Sequence, residues 1–316
     1  MTFDEITKKY NCILCSESNK YSSLGKMFLA DNEFYEGRYW YYENKDFIID
    51  IHDLFIKKDY IETEVISIPQ SISLISNYLI SGSGEWLDPY QTLEPRSMFI
   101  VKNGYINEKY VLHGKSKFFM VGIKFKDSMI DQCVFKKTNI RKNDIIKIFL
   151  DIQNNITKPI SKIADEILNC KMEGISAELF FEAKAKEWLS ITLNAYEKRK
   201  KLPPLIESDK SSIERVAAYI NDHYAFTISQ QFLEKIAAVS GTKLKQLFKQ
   251  MYNMSITEFT QRKRINAAEN LLLTTDLEIR DIAKSVGYSS SSRFSTLFKR
   301  YKGIYPKDIR KYNDLL

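Results

Sequence analysis

Residues 264–310 read RINAAENLLLTTDLEIRDIAKSVGYSSSSRFSTLFKRYKGIYPKDIR, and their periodicity decides the C-terminal fold. Ile279, Ile282, Ala283 and Val286 fall at i, i+3, i+4 and i+7, as do Phe294, Leu297, Phe298 and Tyr301. That spacing puts four apolar side chains on one stripe of a helix. Gly287 stands between the two stripes, where a residue without a Cβ can reverse the chain. The spacing therefore predicts a helix, a tight turn and a second helix. The second helix would bury its apolar stripe and leave the other face open. That face carries Ser291, Ser292, Arg293, Ser295, Thr296, Lys299 and Arg300, and no carboxylate.

The pattern is written twice. Leu247-Phe248-Lys249 recurs fifty residues later as Leu297-Phe298-Lys299. Leu244, Leu247, Phe248 and Met251 repeat the helical spacing, with Leu233, Ile236 and Ala237 before the turn. The open face of this first unit carries Thr242, Lys245, Gln246 and Lys249. Ile213, Val216, Ala217 and Ile220 predict one more helix ahead of it. Gln can bond an adenine edge in two places, Lys and Arg reach guanine O6 and N7, and Ser or Thr bond bases or phosphates. Two helix-turn-helix units facing the major groove of double-stranded DNA are the function this pattern points to. Residues 256–273, with Phe259, Ile265, Ala268 and Leu272 as apolar contacts, are predicted to form the connector. At ~1.5 Å per residue it spans ~27 Å, enough to hold two helices ~34 Å apart, one turn of B-DNA.

Charge agrees with this reading. The 316 residues hold 47 Lys+Arg and 40 Asp+Glu, a net +7. Residues 211–316 hold 17 Lys+Arg and 10 Asp+Glu, so the whole excess lies in the last third. A local basic excess is the electrostatic footprint of a nucleic-acid-binding module, or else a solvated basic face.

The N-terminal two thirds read differently. Up to about residue 125 the chain is strand-like: Phe47, Ile49 and Ile51 alternate with Asp50 and His52. Residues 71–80 and 118–125 are apolar runs bounded by turn signals such as Ser81-Gly82-Ser83-Gly84 and Lys102-Asn103-Gly104. An antiparallel sandwich or barrel is expected. From 140 to 200 the period becomes helical: Ile145, Ile148, Phe149, Ile152, then Ile160, Ile163, Ala164, Ile167, then Phe181, Ala185, Trp188, Thr192. These stripes pack onto the sheet or form a dimer seam. Glu197-Lys198-Arg199-Lys200-Lys201 followed by Leu202-Pro203-Pro204 breaks the period. The expected layout is a domain at 1–200, a linker at 201–211 and a helical domain at 212–316, an α+β chain overall.

Other chemistries find little support. Cys12 and Cys15 form a CxxC, but Cys133 and Cys170 stand alone, so a four-ligand zinc site lacks its second pair. His52, His113 and His223 are scattered and read as ordinary residues. No nucleophile elbow, Walker loop or GxGxxG occurs, so no catalytic residue, metal or cofactor is expected. Met1–Tyr10 lacks the apolar run of a signal peptide, and no stretch of ~18 apolar residues could span a membrane, so a cytoplasmic protein is expected.

The quoted stretch resembles the AraC/XylS family of bacterial transcription regulators. Arg264, Ala268, Leu271-Leu272, Thr275-Asp276, Ile279, Ile282-Ala283, Val286-Gly287-Tyr288, Phe294, Phe298-Lys299, Gly303, Pro306 and Arg310 carry the resemblance. Arg293, Tyr305, Glu234 and Ala238 depart from the family pattern, the last two at its usual small-residue and Gly positions. The resemblance implies base readout by Thr242, Lys245, Gln246, Ser291, Ser292 and Thr296. It also implies a cupin-like, effector-binding and dimerising N-terminal domain, and RNA polymerase and a second copy of the chain as partners. Leu179–Glu187 and Phe118–Phe125 resemble segments of siderophore-responsive, pyochelin-type members.

A siderophore, a sugar or an aromatic metabolite would suit the aromatic cluster of Phe34, Tyr35, Tyr39, Trp40, Tyr41, Tyr42 and Trp86. Tyr39, Trp40, Tyr41 and Trp86 are the effector-site candidates; alternate strand residues otherwise pack into a core. An activator responding to a small molecule is the leading expectation. A DNA-repair thiol methyl acceptor fused to a DNA-binding domain, or a regulator controlled by a protein partner, stands beside it.

Overall fold

Among the described residues, eleven short segments rich in apolar and aromatic side chains form strands. They are β1 (Ile13–Cys15), β2 (Lys26–Asp31), β3 (Tyr35–Glu43), β4 (Phe47–Ile56), β5 (Tyr60–Glu62), β6 (Ile72–Ser81), β7 (Gly84–Leu87), β8 (Tyr90–Leu93), β9 (Ser97–Lys102), β10 (Tyr110–Leu112) and β11 (Ser116–Lys126). This computed structural model describes residues 12–15, 20–62, 71–87, 90–102, 109–138, 140–153, 156–201, 205–252, 254–302 and 305–308. Met1–Tyr10, Asn103-Gly104, Leu202-Pro203-Pro204, Gly303 and Arg310, used above, lie outside the described residues. The chain divides into two compact units, Met1–Lys201 and Leu202–Leu316.

Among the described residues of the first unit every strand pairing is antiparallel, in a seven-stranded sheet ordered β1-β2-β3-β4-β11-β6-β9 and a four-stranded sheet ordered β5-β10-β7-β8. Because side chains alternate across a strand, the large sheet feeds two cores. Phe47, Ile49, Ile51, Val121, Ile123 and Phe125 face one way, onto helices α2 (Lys142–Ile152), α3 (Thr157–Leu168) and α4 (Gly174–Lys200). A short helix α1 (Asp127–Ile130) and a π turn (Asp131–Phe135) lead into them. Ile48, Leu54, Ile56, Phe118 and Met120 face the other way and meet Leu93 and Leu112 of the small sheet. The α+β architecture expected from the sequence is the one found. Both helical stripes and α4's Phe181, Ala185, Trp188 and Thr192 are buried, so these faces serve the unit's own core.

The second unit is helical: α5 (Glu207–His223), α6 (Gln230–Ala237), α7 (Gly241–Tyr252), α8 (Ile256–Thr274), α9 (Ile279–Ser285) and α10 (Ser291–Lys302). One difference from expectation concerns the linker, drawn through residue 211. Helix α5 already begins at Glu207. Glu207 and Asp209 in its first turn complement the helix dipole, and Asp209 pairs with Lys243 of α7 at 2.9 Å, which extends the helix N-terminally. Ile213, Val216, Leu233, Leu244 and Phe248 form one core with Phe259 of α8. Ile265, Ala268 and Leu272 of the same helix form a second core with Ile282, Phe294 and Phe298. Helix α8 thus runs through both halves.

Candidate functional site

Each helix-turn-helix half is built from local signals. Ser229 caps α6 by accepting from the Phe232 N–H at 3.2 Å. Ser240 and Ser290 do the same for α7 and α10, accepting from Lys243 at 3.4 Å and Arg293 at 3.3 Å. The two turns use left-handed backbone at matching places, Ala238 at φ 55° and Gly287 at φ 89°. Ala237 and Ala283 are buried in the cores beside those turns, small enough for the helices to approach closely.

The faces read as DNA-binding from sequence are open. Thr242, Lys245, Gln246 and Lys249 on α7 are exposed, as are Ser291, Ser292, Arg293, Thr296, Lys299 and Arg300 on α10. Neither helix contains an Asp or Glu. Thr296 and Lys299 make contacts within the unit. The Thr296 hydroxyl donates to the Ser292 carbonyl at 3.1 Å, leaving its lone pairs and methyl for a partner. Lys299 Nζ lies 4.2 Å from the centre of the Tyr305 ring, which holds the ammonium at the end of the helix. Tyr305 is one of the departures noted above, and this stacking is its structural role.

Three hydrogen bonds fasten α10 to α8. Lys302 Nζ donates to Asn266 Oδ1 at 2.9 Å and to Glu269 Oε2 at 2.5 Å, and the Tyr301 hydroxyl donates to Gln261 Oε1 at 3.0 Å. Arg264 was legible only as a motif position. Its half-buried guanidinium donates from Nε to the Tyr224 carbonyl (2.6 Å), from Nη2 to the Phe226 carbonyl (3.0 Å) and from Nη1 to the Gly287 carbonyl (2.8 Å).

The first unit holds a second candidate site that sequence reasoning missed. On three adjacent strands of the large sheet, Asp50 of β4, Gly122 of β11 and Asn77 of β6 stand side by side in register. They face the small sheet, inside an otherwise apolar core. Asp50 is fully buried, and its Oδ2 accepts from both Lys124 Nζ and His52 Nε2, the latter at 3.0 Å. Burial alone would raise the Asp50 carboxyl, but Lys124 and His52 outweigh it and hold the group well below the usual carboxylate range. Asp50 Oδ1 and Asn77 Oδ1 have no hydrogen-bond partner. Both lean over Gly122, where an added Cβ would lie 2.4 Å from each. His52, read above as an ordinary residue, is part of this cluster and is flanked by Tyr39 (ring centres 4.7 Å) and Phe118 (6.3 Å). The signal was present: Asp50 and Lys124 sit on the same strand parity as buried apolar neighbours.

The four effector candidates do not share one wall. Tyr39 and Tyr41 face the inter-sheet core, and Trp86 packs against it, stacked on Tyr110 at 5.1 Å. Trp40 faces the helices instead: its ring is 5.7 Å from Phe181, and its indole N–H donates to the Ser22 carbonyl at 2.9 Å. The alternation of β3 sends residue 40 to the opposite face from 39 and 41. Phe34 and Tyr35 join the inter-sheet side and Tyr42 the helix side. The same parity separates the CxxC thiols: Cys15 packs against the helix-facing core and Cys12 against the inter-sheet core.

Comparison with known proteins matches residues 233–312 to a family described as "Helix-turn-helix domain". The chain is 29% identical over 117 residues to the HTH-type transcriptional activator RhaS of Enterobacter sp. (strain 638), which covers 37% of this chain and 42% of that one. It is 28% identical over 130 residues to RhaS of Escherichia coli (strain SE11), covering 41% and 47%. The chain thus spans less than half the length of these relatives. Among solved structures, the C-terminal domain of AraT, a response regulator from Geobacillus stearothermophilus, is 30% identical, with 32% of this chain and 84% of that one covered and a TM-score of 0.31.

Proposed function

We propose that this chain is a DNA-binding transcription regulator of the AraC/XylS family, acting through α7 and α10. One observation carries the reading: two serine-capped helices, each the second of a helix-turn-helix, present exposed donor-rich faces without a carboxylate. Arg293, Gln246, Lys245 and the Ser and Thr hydroxyls are the base-reading candidates, and Lys249, Lys299 and Arg300 the phosphate contacts. The RhaS relatives are named as activators, and we read this chain as an activator with RNA polymerase as its partner.

The finer reading concerns the first unit. A buried ion pair with two unpartnered acceptors is costly in an apolar core and adds nothing that Leu or Met would not. We read the Asp50–His52–Lys124–Asn77 cluster, with Tyr39 beside His52 and Tyr41 paired with Asp50 across the strands, as the place where a small-molecule effector is received. Selection from random-sequence DNA by the full chain tests the main reading. An enriched duplex with two half-elements about one helical turn apart is expected, bound with a steep salt dependence. Recovery of no sequence, or equal affinity for all duplexes, refutes it.

A further inference from the structure

We infer that Arg264 is a positioning residue for DNA recognition, fixing the rotational phase between the two recognition helices. The inference rests on the DNA-binding reading above. The second unit has two separate cores, one built on the first turns of α8 and one on its later turns. A single connecting helix leaves the two halves able to twist against each other as it bends. The structure adds a second tie. The chain leaving α5 meets the turn of the second half so closely that a Cβ on Gly287 would lie 2.3 Å from the Ala225 carbonyl oxygen.

Arg264 fastens that meeting point from α8. Two of its three hydrogen bonds go to the first half, at Tyr224 and Phe226, and the third goes to Gly287 in the second half. The guanidinium carbon also lies 5.4 Å from the centre of the Tyr288 ring, in the same turn. One planar group therefore joins connector, first half and second half. Three carbonyls approached from three directions need the fork of an arginine; a lysine ammonium on a flexible stem would reach fewer of them and hold none rigidly. Gly287 and Tyr288 immediately precede Ser289–Ser291, where α10 begins, so the clamp acts next to a base-reading face.

Phase matters because binding through two grooves counts only when both helices engage at once. Inserting one base pair between half-elements rotates them by roughly 35° and separates them by about 3.4 Å. The test uses the full chain and the duplex it selects from random DNA. Wild type and Arg264→Lys are titrated against that duplex, against one with a single half-element scrambled, and against one with a base pair inserted between the half-elements. Wild type should lose about tenfold or more on the insertion. Arg264→Lys should bind the intact duplex about tenfold more weakly, match wild type within about twofold on the scrambled one, and lose under about threefold on the insertion.

Equal losses on intact and scrambled duplexes would mark a merely structural residue and overturn the inference. So would an insertion penalty in the variant as large as in wild type. If the variant does not fold, wild type decides alone: indifference to the insertion overturns a fixed phase, and sensitivity supports it. Failure to select any duplex would instead sink the DNA reading itself, a distinct result.

Discussion

The buried pair of Asp50 and Lys124 offers the sharpest separation of stability from function. Asp50 is 0% and Lys124 7% exposed. Lys124→Met would leave a buried carboxylate without its ammonium partner, and Asp50→Leu would leave a buried ammonium without that carboxylate. Breaking a buried pair from either side costs about 3–5 kcal/mol. Replacing both residues removes two desolvated charges together. Because Lys124 and His52 crowd onto one carboxylate oxygen while the other has no partner, the pair is incompletely compensated. The double variant Asp50→Leu/Lys124→Met should therefore match wild type or exceed it by about 1–2 kcal/mol.

Urea unfolding followed by tryptophan fluorescence reads this cleanly, since Trp40, Trp86 and Trp188 all belong to the first unit. pH supplies a second readout. The folded pKa of Asp50 lies below its unfolded value near 3.8, so its contribution is complete above that value. It is lost as pH falls below 3.8 toward the folded value. The double variant should lack this acid-dependent component. It should fold and bind DNA, yet give no response to the effector. Single variants that each lose less than about 1 kcal/mol, or a double variant as unstable as the two losses summed, would refute the reasoning.

Two further outcomes follow from the second unit. Gly287→Ala should destabilise it by about 3 kcal/mol or more, because the new Cβ meets the Ala225 carbonyl at 2.3 Å in left-handed backbone, whereas Ala238→Gly should stabilise it by up to about 1 kcal/mol; thermal melts followed by circular dichroism would show both. Arg293→Ala or Gln246→Ala should weaken binding to the selected duplex by about 1–3 kcal/mol while leaving random DNA nearly unaffected, and equal losses on both in a binding titration would mark phosphate contacts instead.

The helical parts were readable because their signals are local. Phe294, Leu297, Phe298 and Tyr301 lie within eight residues, and one period places them on one stripe. The same holds for Gly287, which stands between the two stripes. Strand parity marked Asp50 and Lys124 one by one as core-facing, but their meeting in one inter-sheet cluster was not readable, because its members come together only through strand order. Asp50 and Lys124 are 74 positions apart, and Asn77 joins them because β11 lies between β4 and β6. Trp40 shows the cost of grouping residues by proximity in sequence: Tyr39-Trp40-Tyr41 looks like one aromatic wall, but pleating divides it between two cores. Arg264 was visible as a motif position, while its three carbonyl partners lie 23 to 40 positions away.

The first helix-turn-helix departs from the family pattern at two places, and the structure explains both together. Glu234 stands where the second half has the buried Ala283, and its carboxylate needs room beside the turn. That room comes from Gly241, the first residue of α7: a Cβ there would lie 2.2 Å from Glu234 Oε1 and 2.4 Å from Gln230 Nε2. Gln230 in turn donates to Glu234 Oε1 at 2.8 Å, so the carboxylate is held along α6 instead of projecting toward the recognition face. The remaining departure, Ala238, takes the left-handed conformation that Gly287 takes in the second half, at a strain of about 1–2 kcal/mol. The Val239 N–H still reaches the Glu234 carbonyl at 3.3 Å, so the helix end closes as it would with glycine. The first half therefore keeps the geometry of the motif while giving up some stability. Its recognition face, where Thr242, Lys245 and Gln246 stand open, is unaffected by either change.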